Sequence, residues 1–154
     1  MRVTGSQEAR NRATRKADAL AKLATPAADV WVASASPTGA PHLVPVSVAW
    51  LDERAVIAVE GRSVTARNLS ATGAARVALG PTRDVVMIDA VVENAVNVDA
   101  DARLGAAYAA QADWDPRLSS GYVFFVLRPV RVQAWREAEE IPGRTLMRDG
   151  TWLV

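Results

Sequence analysis

Between Asp29 and Val59 the chain places three short β-rich runs in succession, separated by turns too brief for any crossover. Asp29-Val30-Trp31-Val32-Ala33-Ser34 leads into Ser36-Pro37-Thr38-Gly39, a turn with proline early and glycine late. A second strand follows from about His42 to Trp50, then the turn Leu51-Asp52-Glu53-Arg54, then Ala55-Val56-Ile57-Ala58-Val59. Strands joined this closely pair antiparallel, because a parallel connection needs a dozen residues or more.

The rest of the chain extends the pattern. Ser6 is placed to cap a helix running to about Leu23, with Ala17, Leu20, Ala21 and Ala24 on one face and Thr25-Pro26 as its stop. Ala75 to Leu79 reads as a fourth strand and Pro81-Thr82-Arg83-Asp84 as a turn. Val85 to about Val98 reads as a long strand, buried on both sides and bending around a barrel. Asp99-Ala100-Asp101 opens an alanine-rich helix through about Gln111, ended by Asp113-Trp114-Asp115-Pro116. Gly121 to Trp135 is a further strand, with Pro129 marking a bulge or an edge, and Asp149-Gly150 between apolar residues signals a closing hairpin. Six or seven antiparallel strands with two or three helices describe a small closed or partly open barrel.

At 154 residues and 50% hydrophobic content, residues 1–154 read as one domain, with the helix over 1–24 at its start. Eighteen basic against 17 acidic side chains give a net charge of +1, which argues against a nucleic-acid or anionic-membrane coat and favours a small-molecule partner. With no cysteine, thiolate catalysis and disulfides are excluded, and one histidine makes a zinc site improbable, so no metal is expected. Residues 1–22 hold no apolar core of signal or membrane length, so a soluble, cytoplasmic protein is expected.

Glu60-Gly61-Arg62-Ser63-Val64-Thr65-Ala66-Arg67-Asn68-Leu69 carries the chemistry. A strand turns through glycine into a short helix with two hydroxyls and two arginines. Helix-start amides and a guanidinium are what a phosphate needs. The segment reads as the phosphate end of a cofactor site.

These residues, with Gly39-x-Pro41-x-x-x-Pro45, Val77-Ala78-Leu79 with Asp84 after it, and Pro129-x-Arg131-Val132-x-Ala134-Trp135, resemble the flavin and deazaflavin split-barrel proteins, the superfamily of pyridoxamine-phosphate oxidase. The likeness spans roughly Ala28 to Trp152. The ending Trp135-Arg136, Gly143-Arg144-Thr145, Arg148-Asp149-Gly150-x-Trp152 is similar to the actinobacterial branch that uses the deazaflavin F420. FMN oxidases of this superfamily usually carry a lysine two residues after the serine of the turn, where this chain has Thr65.

The resemblance implies a mainly β, α+β split barrel of the FMN-binding type with peripheral helices. It implies a homodimer with a cofactor in each of two clefts between protomers. The phosphate would lie near Arg62, Ser63, Thr65, Arg67 and Asn68, the ring against Val44-Pro45-Val46, with Trp114 and Trp135 closing the cleft. The activity implied is hydride transfer from reduced F420 to a small conjugated organic acceptor. The alternatives are an FMN-dependent oxidoreductase, or a non-catalytic flavin, deazaflavin or haem binder, the last requiring His42 or a methionine as ligand.

A cofactor of this kind carries the hydride chemistry, so no catalytic triad is required and no catalytic residue is assigned. Ser63 lacks a base partner and reads as a helix cap. His42 stands open between a substrate-side proton source and a structural residue. Trp31 and Trp50 are expected in the core or at the dimer interface, and Asp84 is expected to end its turn or to orient Arg83 or an arginine of the phosphate turn.

Overall fold

The computed structural model describes residues 8–154. Its strands are β1 (Asp29–Ala35), β2 (Pro41–Leu51), β3 (Arg54–Glu60), β4 (Ala74–Leu79), β5 (Val85–Asn97), β6 (Tyr122–Trp135), β7 (Thr145–Arg148) and β8 (Thr151–Trp152). Its helices are α1 (Arg12–Leu23), α2 (Val64–Thr72) and α3 (Ala102–Ala112), with single 3₁₀ turns at Pro116–Leu118 and Ala138–Glu140. The sheet runs β3-β2-β1-β4-β5-β6-β7-β8, and β3 pairs again with β6, so the first six strands close on themselves. Every pairing is antiparallel. The fold is a six-stranded split β-barrel of the α+β class, with β7 and β8 added beyond β6.

Local chemistry explains the corners. At the β7–β8 turn Asp149 and Gly150 both take left-handed φ, 50° and 76°, the geometry that matches the twist of a two-residue hairpin. Asp52 and Glu53 do the same at the β2–β3 turn, 49° and 57°, without a glycine. The Glu53 carboxylate there accepts a hydrogen bond from Trp152 Nε1 at 3.1 Å, which ties this strained turn to the C-terminal hairpin.

The long β5–β6 ladder bends at two irregularities. Asp89 faces Arg131 while Ala90 faces Pro129, so Val130 is extra; Val92 faces Leu127 while Asn94 faces Val126, so Glu93 is extra. Such bulges raise local twist and carry the strands around the barrel, and Pro129, with no N–H to donate, sits beside the first.

Burial of β5 on both sides does not hold. Val86, Ile88 and Ala90 are buried, their neighbours on the other face are half-buried, and Glu93 to Ala95 are exposed. The strand buried on both faces is β3, continuously from Ala55 to Val59. One face joins the barrel core of Val32, Val48, Ile57, Val77, Ile88 and Phe125. The other, through Val56 and Ala58, packs with Ala49 and Phe124 against Tyr108 and Ala112 of α3. A helix laid on the outside of a barrel turns an ordinary alternating strand into a two-sided one.

The α1 expectation needs two corrections. The cap at Ser6 lies outside the described residues; residues 8–11 are not helical, and Asn11 caps the helix by accepting from the Thr14 amide at 2.8 Å. The buried face is Arg15, Ala19 and Leu23, whereas Ala17, Ala21 and Ala24 are exposed. A buried arginine hid that stripe: the Arg15 guanidinium donates to the carbonyls of Arg10, at 2.9 Å, and Glu140, at 2.8 Å.

Asp84 orients neither Arg83 nor the phosphate-turn arginines. It meets Lys22 Nζ at 2.8 Å, Arg136 at 3.4 Å and Arg10 at 3.5 Å. Burial works against its charge, yet the Lys22 hydrogen bond and these cations hold its carboxyl below the usual range. Trp31 is 51% exposed on the outer face of β1, outside the core, and Trp50 packs half-buried against the core.

Candidate functional site

A cleft of about 470 Å³ opens between the outer half of β2, the end of β3, the start of α2 and the exit of α3. His42, Val44, Pro45, Val46 and Ser47 form one wall; Ala58, Val59, Glu60, Ser63, Val64 and Thr65 form the end; Trp114 and Tyr122 form the rim. The volume falls in the range of sites that enclose small organic ligands, and its apolar walls with a polar end are typical of them.

The polar end follows from local sequence. Gly61 passes close to β6: its amide donates to the Gly121 carbonyl at 2.9 Å, and a Cβ there would stand 3.3 Å from Val123 Cγ2. Ser63 is extended, with φ −67° and ψ 158°, and its Oγ accepts from the Ala66 amide at 3.1 Å. The amides that begin α2 at Val64 and Thr65 have no partner within the helix, and the helix dipole puts partial positive charge there. Thr65 lines the cleft although only 2% exposed.

The arginines stand beside this end rather than in its lining. Arg62 is exposed, and Arg67 folds back over the helix start, donating from Nη1 to the Arg62 carbonyl at 3.0 Å. Glu60 is the one carboxylate in the lining, so an anion in the cleft is favoured on the arginine side of the turn.

The cleft thus gathers Val44, Pro45, Val46, Ser63, Thr65 and Trp114, whereas Arg62 and Arg67, which flank Ser63 and Thr65 in sequence, are exposed and not part of its lining. Asn68 lies behind it, 5% exposed, its Nδ2 donating to Ser34 Oγ at 3.1 Å, so it ties α2 to β1. Trp135 lies at the far end of β6 from Tyr122, facing Val85 across the ladder, with the Arg144 guanidinium 5.9 Å from its ring centre. Tyr122 and Glu60 were not singled out from sequence. They face each other across the β3–β6 ladder, a pairing between residues 62 apart in the chain that no local pattern announces.

Behind the rim stands an aromatic group. The Trp114 ring meets Tyr122 edge-on at 5.2 Å and Tyr108 edge-on at 6.3 Å, and Tyr108 packs on Phe124 at 5.0 Å. Tyr108 is fully buried and donates from its hydroxyl to the Ser47 carbonyl at 3.3 Å. Burial pushes its phenol up to about 12, with the Ala58 backbone N–H working the other way, so it stays a neutral donor. Among the described residues no three His, Asp or Glu side chains group as a metal site would need. No helix among them is long and apolar enough to cross a membrane.

A closed antiparallel barrel with a cleft at the start of α2 defines a split-barrel protein. The chain belongs to the pyridoxamine 5'-phosphate oxidase family, whose profile matches residues 17–136. No curated protein matches it. Among solved structures it is similar to an F420 reductase, at 18% identity and a TM-score of 0.60, over 73% of this chain and 94% of that one. A heme-binding protein from Mycobacterium smegmatis aligns at 22% identity and a TM-score of 0.63, over 92% of this chain and 59% of that longer one. HutZ, the heme storage protein from Vibrio cholerae, aligns at 18% and 0.55, over 72% and 89%. At these identities the likeness establishes the fold.

Proposed function

We propose that the protein is an F420-dependent reductase, holding the deazaflavin ring along Val44-Pro45-Val46 and its phosphate at the start of α2. The observation that carries this reading is the cleft itself: an apolar wall leads to free helix-start amides, two hydroxyls and two nearby arginines. Thr65 in place of a lysine disfavours FMN, and the F420 reductase among the structural neighbours agrees with the choice. The bound, reduced deazaflavin supplies the hydride. The chain's own residues bind the phosphate, hold the ring against β2, and keep water from its face with Trp114 and Tyr122. The acceptor is a small conjugated organic molecule able to stack in what remains of the cleft.

Titration of the purified protein with F420 and, in parallel, FMN, following quenching of cofactor fluorescence, tests the assignment. Binding of F420 in clear preference to FMN, with oxidation of reduced F420 by an enone or quinone, is the expected result. Preference for FMN moves the protein to the oxidase-like reading, and binding of neither removes the site.

A non-catalytic haem binder is the second reading, because His42, the chain's single histidine, lines the cleft. A Soret band that shifts on haem addition and is lost in His42→Ala would favour it over the reductase.

The protein is further proposed to be a homodimer. The outer face of β1, β2, β4, β5 and β6 exposes Trp31 and Leu43 and carries a shallow groove of about 510 Å³ lined by Ala33, Ala35, Ala74, Val91 and Val130. Its lining includes the cross-strand pair Arg76–Asp89. A two-fold contact would repeat that pair reciprocally, and β2 would bring the cleft to the boundary. Light scattering at micromolar concentration is expected to give twice the 16.4 kDa chain mass, and a monomer would exclude the shared cleft.

A further inference from the structure

We propose that Tyr108, which does not itself line the cleft, is the positioning residue that sets the separation of its two walls by holding Trp114 and the β2 backbone in register. Its hydroxyl donates to the carbonyl of Ser47, the last cleft residue of β2, while its ring stands in T-shaped contact with that of Trp114, the rim residue contributed by the exit of α3. One fully buried side chain therefore touches both sides of the cleft from behind. A second link keeps α3 from sliding: Gln111, one turn before Trp114, accepts from the Trp50 amide and donates to the Leu23 carbonyl, each at 2.8 Å. The helix is thus pinned to β2 at two levels, and Tyr108 is the level nearest the cleft. The χ2 torsion of an aromatic side chain has a broad well, so loss of the hydroxyl bond frees the ring to tilt and Trp114 to follow.

This inference rests on reading the cleft as the cofactor site, and two separate measurements keep the two apart. The first needs no ligand: the near-ultraviolet circular dichroism of Trp114, isolated as the difference between the wild-type protein and Trp114→Phe, is expected to change in Tyr108→Phe. The second is the affinity for F420 and FMN. Tyr108→Phe is expected to weaken whichever one binds by up to about fivefold, the limit in which the whole worth of the hydrogen bond goes into holding the cleft in its binding geometry. In a Trp114→Leu background the same change should alter binding by less than about twofold, because the group it acts through is gone. An unchanged Trp114 difference spectrum, or an equal loss in both backgrounds, overturns the proposal. If the wild-type protein binds neither cofactor, the cofactor reading falls, and the difference spectrum still decides whether Tyr108 holds Trp114.

Discussion

Replacing Arg62 and Arg67 together with alanine is expected to weaken F420 binding by about 100-fold or more, since each charge-assisted hydrogen bond to an anion contributes roughly 1.5–3 kcal/mol. Neither side chain supports the fold: Arg62 is exposed, and the one hydrogen bond that the Arg67 side chain makes to a described residue is to the Arg62 carbonyl. The melting temperature of the ligand-free protein should therefore move by no more than a degree or two, as surface substitutions usually do. The contrast between the two readouts is the point of the experiment. Equal binding in the double variant would remove the phosphate end of the site, and a large fall in melting temperature would show the arginines to be structural.

Glu140→Ala is expected to do the opposite, unfolding the protein readily without touching the cleft. The Glu140 carboxylate is 3% exposed and receives four hydrogen bonds: from Arg10 N and Nε at 2.9 Å, Arg10 Nη2 at 2.8 Å and the Arg136 amide at 2.9 Å. Arg10 also pairs with Asp18 at 2.8 Å, and the buried Arg15 donates to the Glu140 carbonyl, so one carboxylate joins the chain before α1 to the segment after β6. Removing one partner of such a buried network leaves uncompensated charge and costs about 3–5 kcal/mol. For a chain of this size that is a fall of about 10 °C in melting temperature. Little or no change in a thermal melt would mean that water replaces the lost partner.

The same group makes stability depend on pH in a definite direction. The Arg10 hydrogen bond, against the opposing effect of burial, holds the Glu140 carboxyl at about 2, below the ordinary carboxylate value of 4.5. Folding therefore favours the ionised form. The stabilisation is complete above the unfolded-state value and is lost as pH falls from there through about 2. Its full size is on the order of 3 kcal/mol. Chemical denaturation at pH 7 and pH 3 should show a smaller difference for Glu140→Gln than for the wild-type protein.

Much of the architecture could be read from residues in order, because its causes are local. The turn at Ser36 to Gly39, the two-residue Asp149-Gly150 corner and the serine cap of α2 all work through neighbours within four positions. The β-rich runs between them follow from side-chain shape. The closing contact does not: β3 meets β6 some seventy residues later, and nothing in Ala55 to Val59 distinguishes a strand covered by a helix from one facing water. That is why two-sided burial was expected of β5 and found in β3. Arg15 misled for a related reason, since a buried arginine that donates to backbone carbonyls looks in sequence like part of a solvated face.

The site divides the same way. Gly61 through Thr65 was legible as a strand turning through glycine into a serine-capped helix start, because the cap is made within three residues. Val44 to Val46 came from a family likeness, and the cleft brings them to that turn. Which aromatic residues face the cleft was a tertiary matter. Trp114 reaches it and Trp135 does not, since β6 carries Tyr122 to the rim and Trp135 to the opposite end. By itself the sequence determined the antiparallel class, the corners and the strand-turn-helix segment at Gly61 to Thr65, all consequences of short-range backbone geometry. Only the closed barrel decided which walls that turn would serve, because closure and the helix packed on it are long-range contacts whose energy no single segment contains.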